Sequence, residues 1–264
     1  YNSEEKIYPE SYVNNITIKG AEVEFHEVNL GRKWMLSDLN FEFSRNLVNL
    51  ELNADALVNL NEQIASVGFE SEYHATNDKL DLEVYFSDLI LSDILKGLDS
   101  KNVEDTPLSA LSIDVPVNGK IDTIVNLSEI LQHPENAAAY LSDALQKINF
   151  ELDGGHGYIA FDKDEKYNYE IDEVMLTGEL SGGFDELKIN NADFKMGGQT
   201  AKISFQANGL ENYYLEHSLE GVTAEFKAEI DEFSLEYLSR FWPRYLAEPA
   251  WQWCKEGLTA GMAK

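Results

Sequence analysis

Cysteine is almost absent from this chain. Cys254 is the only one in 264 residues, so neither an intrachain disulfide nor a cysteine-based metal cluster can form. That excludes a disulfide-stapled secreted module and suits the cytosol and the periplasm equally. No run of about 18 apolar residues occurs, so no segment reads as a membrane-spanning helix. No secretory leader is visible. Cations are scarce: 20 Lys and Arg stand against 48 Asp and Glu, a formal net charge of -28. Such a surface repels nucleic-acid phosphates and anionic bilayers.

Motifs that carry chemistry are missing as well. His26, His74, His133, His156 and His217 are too far apart in sequence for a metal-ligand pair. The stretch from Asp162 to Asn168, with Glu173 at the twelfth position, faintly resembles a calcium loop. Tyr167 stands where that loop needs glycine, however, and Lys166 occupies a ligand position. It reads better as a charged hairpin turn. Gly154-Gly155-His156-Gly157 lacks the Lys-Ser/Thr and the following helix of a phosphate loop. There is no Gly-x-Ser-x-Gly elbow, and among 48 carboxylates no acid–base pair stands out. The expectation is a protein that is not an enzyme and uses neither metal nor cofactor.

What the chain has is apolar side chains at period two. Apolar residues make up 44% of it, and Phe and Tyr contribute 13 each, enough for a real core and unlike a disordered segment. Val222, Ala224, Phe226, Ala228 and Ile230 alternate with polar residues, which gives a strand one greasy and one wet face. Leu39, Phe41 and Phe43 do the same. So do Leu80, Leu82, Val84 and Phe86, then Ile113, Val115 and Val117. The pattern returns at Ile148, Phe150 and Leu152, at Leu187 and Ile189, and at Ile203 and Phe205. Turn signals fall at Asn46, Asn77-Asp78, Gly119, Gly154-Gly155, Gly182-Gly183 and Gly197-Gly198. Continuous apolar runs are absent, which favours antiparallel sheet with one wet face. Roughly fourteen to sixteen strands are expected, too many for one compact sandwich, which suggests a long or curled sheet, a large barrel or an elongated repeat-like stack.

Helical spacing is confined to three stretches. Residues 88–97 carry Leu91, Ile94 and Leu95, with Leu98 just beyond. Residues 135–147, after Pro134, carry Ala138, Leu141, Ala144 and Leu145, with Ile148 next. The third closes the chain: Ser234 is a candidate N-cap before Leu235, Leu238 and Phe241, and a second helix starts near Pro249 with the stripe Ala250, Trp253, Cys254, Gly257 and Leu258. The softest boundary is Asp99–Pro107. The chain opens on Tyr1 without a methionine, and the expectation is a segment of something longer.

The C-terminal stretch supplies a resemblance. Trp242-Pro243, Leu246-Ala247, Trp253, Leu258 and Gly261 resemble the signature of the AsmA-like family of Gram-negative envelope proteins, in its YhdP-type branch. Glu248 stands where that branch has proline, Trp251 where arginine is common, and Gly257 where asparagine is common. Residues 105–264 carry the resemblance well, and residues 12–98 fit the looser strand pattern. The resemblance implies three parts: an N-terminal AsmA-like β segment over 1–104, a β-groove segment over 105–233 and a helical C-terminal segment over 234–264. It implies a mainly β fold, a long curled antiparallel sheet forming a U-shaped apolar groove. It further implies a periplasmic part of an inner-membrane-anchored protein, a bridge along which phospholipids pass toward the outer membrane. The groove residues so placed are Leu39, Phe41, Phe43, Leu80, Leu82, Val84, Phe86, Phe150, Leu152, Ile203, Phe205, Val222, Phe226 and Ile230. Trp242, Pro243, Leu246, Trp253 and Gly261 form the C-terminal motif. The alternatives from a different class are a module that assists outer-membrane protein or envelope assembly through exposed strand edges, and a carbohydrate-binding domain using Tyr167, Tyr169, Tyr213 and Tyr214.

Overall fold

In a computed structural model of the chain, residues 13–27, 32–60, 63–90, 92, 112–133, 140, 144–160, 168–211, 220–230, 233–235, 248–257 and 262–263 are described. The alternating segments become strands: β1 (Asn15–Glu27), β2 (Arg32–Arg45), β3 (Asn49–Leu60), β4 (Gln63–His74), β5 (Lys79–Ile90), β6 (Ser112–Asp114), β7 (Pro116–Asn126) and β8 (Leu145–Gly154). They continue as β9 (Gly157–Ala160), β10 (Asn168–Ile171), β11 (Glu173–Ser181), β12 (Glu186–Met196), β13 (Gln199–Asn208), β14 (Thr223–Ile230), β15 (Phe233–Ser234) and β16 (Met262–Ala263). Among the described residues there are two short helices with defined bounds, α1 (Ser128–Gln132) and α2 (Glu248–Gly257).

Eleven strands form one sheet in the order β1-β2-β3-β4-β5-β7-β8-β11-β12-β13-β14, every neighbouring pair antiparallel. Its two edges do not pair with each other, so it is not a barrel. At about 4.8 Å per strand it spans roughly 50 Å. The expected architecture, mainly β with a single large antiparallel sheet and a short C-terminal helix, is present. A second sheet, β10-β9-β6, is built from segments beside β7 and between β8 and β11. Asp99–Pro107 lies outside the described residues, and the strands on either side of it, β5 and β7, pair with each other.

The alternation slips at defined places. Apolar residues three apart, Ile18/Ala21, Phe86/Leu89 and Ile189/Ala192, flank register shifts in β1, β5 and β12. In β2 the shift between Ser37 and Asn40 separates Leu36 from Leu39 in the same way. Each is a bulge, where one extra residue restores the greasy side to the same face. The bulged turns need positive φ, taken by Gly20 at 59°, Asp38 at 51° and Asp88 at 56°. Asn40 Oδ1 accepts from the Gly20 amide at 3.3 Å, and Asn118 Oδ1 accepts from the Asp88 amide at 3.1 Å. These side chains hold backbone donors that the ladder leaves unpaired.

Several expectations are corrected. Asp88, Leu89 and Ile90 belong to β5, not to a helix over 88–97. Ser92 is helical, and the rest of that stretch lies outside the described residues. Of the helix expected over 135–147, Tyr140 and Ala144 are helical, whereas Leu145 to Lys147, and Ile148 after them, form β8. Ser234 pairs with Met262 in a short ladder, Leu235 after it is in a 3-10 turn, and the rest of the helix expected there lies outside the described residues. Gly119 sits inside β7 rather than in a turn.

Candidate functional site

The register carries apolar side chains across the whole sheet. One row runs Ile18, Phe41, Ala54, Phe69, Val84, Ile121, Phe150, Gly178, Ile189, Phe205, Phe226, each paired with the next on the neighbouring strand. Beside it run Ile16, Phe43, Leu52, Ser71, Leu82, Thr123, Ile148, Leu180, Leu187, Ala207, Ala224. The two hydroxyls in this second row donate to the strand next door, Thr123 Oγ1 to the Lys147 carbonyl at 2.7 Å and Ser71 Oγ to the Leu52 carbonyl at 3.3 Å. Their polarity is thereby spent inside the ladder.

Glycine makes room for large rings on this face. A Cβ on Gly119 would meet the Phe86 ring and Leu152, and one on Gly178 would meet the Phe150 ring. Each phenyl ring lies over the backbone of the next strand and covers it. Between the bulges of β2 and β5 the lining drops to small residues, with Ala54 and Ala56 both buried. Over β2–β5 this leaves an open concavity of about 310 Å³ lined by Leu36, Leu39, Ala54, Ala56, Val67, Phe69, Leu82 and Val84, with Asp55 and Gly68 at its wall.

Cover is partial among the described residues. The small sheet seats on one margin of the face, where Val115, Val117 and Ile171 are buried against Phe86, Leu152, Val174, Phe194 and Met196. Toward the edges the same face is open. Ile16 and Ile18 on β1 are 43% and 42% exposed, and Phe226 and Ile230 on β14 are 66% and 42%.

The opposite face is polar and acidic. Its central row reads Thr17, Glu42, Asn53, Glu70, Glu83, Asp122, Asn149, Glu179, Lys188, Gln206, Glu225. It carries a depression of about 420 Å³ lined by Glu51, Glu70, Glu72, Asp81, Glu83 and Asp122 among others. That hollow is the larger of the two, but its carboxylates suit water. No group of His, Cys, Asp and Glu among the described residues is arranged to hold a metal ion. Ion pairs relieve part of the charge: Lys120 to Glu83 at 2.7 Å, Lys147 to Glu179 at 2.6 Å and Lys195 to Glu173 at 2.5 Å. Hydrogen bonding to Glu83 and to Glu173 raises the pKa of Lys120 and Lys195 respectively. Tyr85 is raised by burial first, then by the nearby carboxylates of Glu70, Asp55 and Glu83.

Two predictions follow from this face. Glu70 stands directly opposite Glu83, and like charges so placed are destabilising. Glu70→Lys is expected to raise stability by roughly 0.5–1 kcal/mol in chemical denaturation at low salt, with the gain shrinking as salt is added. Glu179 has its pKa lowered, chiefly by the hydrogen bond from Lys147. A lowered folded-state pKa stabilises above the ordinary carboxylate range, and that contribution is lost as pH falls through the folded value. Lys147→Met should therefore be less stable than the parent at neutral pH, and the gap should close under acid. A gap that persists in acid would contradict the pairing.

The groove residues expected from sequence are brought together. Leu39, Phe41, Phe43, Leu80, Leu82, Val84, Phe86, Phe150, Leu152, Ile203, Phe205, Phe226 and Ile230 all lie on the apolar face. Val222 is the exception: it lies in the turn before β14, outside the ladder. Sequence reasoning passed over Ala54, Ala56, Val58 and Ala65, which are the buried hydrophobic residues of β3 and β4. Their signal was the same period-two spacing, muted because alanine carries little apolar area. Of the C-terminal motif, Trp242, Pro243, Leu246 and Gly261 lie outside the described residues. Trp253 is 64% exposed on α2, while Cys254 is buried and Ala250 and Trp251 are half-buried. The buried stripe of α2 therefore includes Trp251 and omits Trp253, contrary to the expected Ala250-Trp253-Cys254 face. Lys255 Nζ stands 5.1 Å from the Trp251 ring centroid. Tyr169 is on β10, while Tyr167, Tyr213, Tyr214 and the stretch 161–167 lie outside the described residues.

The fold and its two faces define a class: an open antiparallel sheet with one continuous apolar side and one acidic side. Comparison with family models, curated proteins and solved structures returns no match. No helix of the described residues is long and apolar enough to cross a membrane.

Proposed function

We propose that this chain is a segment of an inner-membrane-anchored periplasmic protein that binds phospholipids by their acyl chains and conducts them between inner and outer membranes. The observation that carries the reading is the apolar row running from Ile18 on one edge to Phe226 on the other. An apolar face that wide has to be covered. An acyl chain covers it at about 0.8 kcal/mol per buried methylene. Aliphatic and phenyl side chains contact such a chain without fixing its position, so a lipid can be retained while it slides. Head groups remain in water along the open side. In this reading the chain is not an enzyme and uses no cofactor.

A second reading, association through strand edges in envelope assembly, is favoured by one observation: every residue of β14 is exposed. Organic extraction of protein purified from a membrane-containing host separates the two. The lipid reading expects phospholipid in the extract at near-stoichiometric amounts, and a lipid-free extract would contradict it.

A further inference from the structure

The large sheet ends on β14, and its eight residues from Thr223 to Ile230 are all exposed. Among the described residues its ladder partner is β13 alone. The two edges of the sheet differ in kind. β1 carries register shifts at Ile18/Ala21 and Ala21/Val23, the sort of irregularity that blunts an edge. β14 pairs with β13 without a shift, so its outer side is a straight row of backbone donors and acceptors.

The sequence of β14 is self-complementary about Phe226. Glu225 and Lys227 flank it, Ala224 and Ala228 lie beyond them, and Val222 and Ile230 lie beyond those. We propose that β14 pairs antiparallel with β14 of a second copy of this chain, with the two-fold axis at Phe226. On the apolar side that register sets Phe226 against Phe226 and Ala224 against Ala228, with Val222 brought opposite Ile230. On the polar side it sets Glu225 against Lys227 twice. Cross-strand aromatic pairs and opposite charges are both favourable in such ladders. Neighbouring registers are disfavoured: centring on Glu225 opposes two glutamates, and centring on Lys227 opposes two lysines. Centring on Ala228 shortens the described ladder to Phe226–Ile230. A two-fold axis normal to the sheet keeps both apolar sides on the same side. Two eleven-stranded sheets then join into one, and the exposed Phe226 at 66% and Ile230 at 42% are covered by their counterparts.

Sedimentation velocity of the full chain, stripped of lipid, tests this over a concentration series. The parent should show a reversible dimer. Lys227→Glu, which opposes glutamate to glutamate twice, should raise the dimer dissociation constant at least ~10-fold. Adding Glu225→Lys to it restores opposite charges and should recover most of the loss. Mild oxidation of Phe226→Cys should give a disulfide-linked dimer, because the native Cys254 is buried. Thr223→Cys faces Glu229 of the partner, about 20 Å from its own counterpart, and should not crosslink. A parent that stays monomeric at every concentration, or a dimer indifferent to Lys227→Glu, overturns the pairing. Since the readout is made without lipid, either result leaves the acyl-chain reading standing on its own test.

Discussion

On the proposed function, Val67→Asp together with Val84→Asp should cut the phospholipid recovered with the chain by at least ~10-fold. Both valines line the concavity over β2–β5. Val84 stands between Phe69 and Ile121 in the row that crosses the sheet. The concavity is open, so each new carboxylate stays hydrated while the trough is empty. An acyl chain sliding over it must strip that water, and stranding a polar group costs roughly 2–7 kcal/mol, against about 1.4 kcal/mol for a factor of ten in affinity. The strands themselves should survive, because the positions are half-buried and the ladder hydrogen bonds are untouched. Circular dichroism checks the fold, and mass spectrometry of the extract counts lipid per chain. Glu83→Gln on the polar face is the control and should leave the lipid content unchanged. Parental lipid content in the double variant would remove the concavity from the path.

Gly157→Val should be the most damaging single change. A Cβ at this glycine would lie against the carbonyl oxygen of Asp114 and 2.8 Å from Cα of Val115. Both obstacles are backbone, so no rotamer change relieves the clash, and β9 must move away from β6. That pairing seats the small sheet on the large one, where Val115, Ile171 and Val117 are 0%, 2% and 3% exposed. A loss of about 3 kcal/mol is expected. Hydrogen exchange should show β9 and β10 losing protection while β2–β5 keep theirs. Uniform protection across both sheets in the variant would mean that the small sheet does not dock as described.

Much of the fold was legible because its main physical cause is local. A side chain every second residue on one face is a property of the extended backbone, and Phe41, Val84, Phe150 and Phe205 announce it in sequence. Pairing of the strands in chain order then aligns the greasy sides. Two of the misreadings share one origin: an apolar spacing of three fits both a helical turn and a bulge. Phe86 to Leu89 is such a step, and the first three residues of the helix expected over 88–97 are the end of β5 beyond its bulge, while its stripe Leu91, Ile94, Leu95 and Leu98 lies outside the described residues. Leu145 to Ile148 is another: β7 advances only from Thr123 to Val125 over that step, so the last two members of the expected helical stripe lie in bulged strand, whereas Ala144 before them is helical. The partner strand, which period counting in one segment cannot see, decides between the two readings.

Glycine was ambiguous for a related reason. At Gly182-Gly183 and Gly197-Gly198 it supplies positive φ in hairpin turns, as the spacing predicts. At Gly119 it lies mid-strand under a phenyl ring contributed by β5. The exposure of Trp253 was hidden likewise, since helical spacing gives a stripe but not the side on which the protein lies. The most buried part of the lining, Ala54 and Ala56, was the faintest in sequence, because depth in a trough comes from small residues that hydrophobic patterns undervalue.

On the proposed function, the apolar face meets acyl chains. Photoreactive residues at Phe41 and Phe205, two positions of the row far apart across the sheet, test it in living cells. Asn53 on the polar face serves as the control. Illumination is expected to join phospholipid to the chain at Phe41 and Phe205 and not at Asn53. Crosslinks to protein alone at both positions, with no lipid adduct, would contradict it.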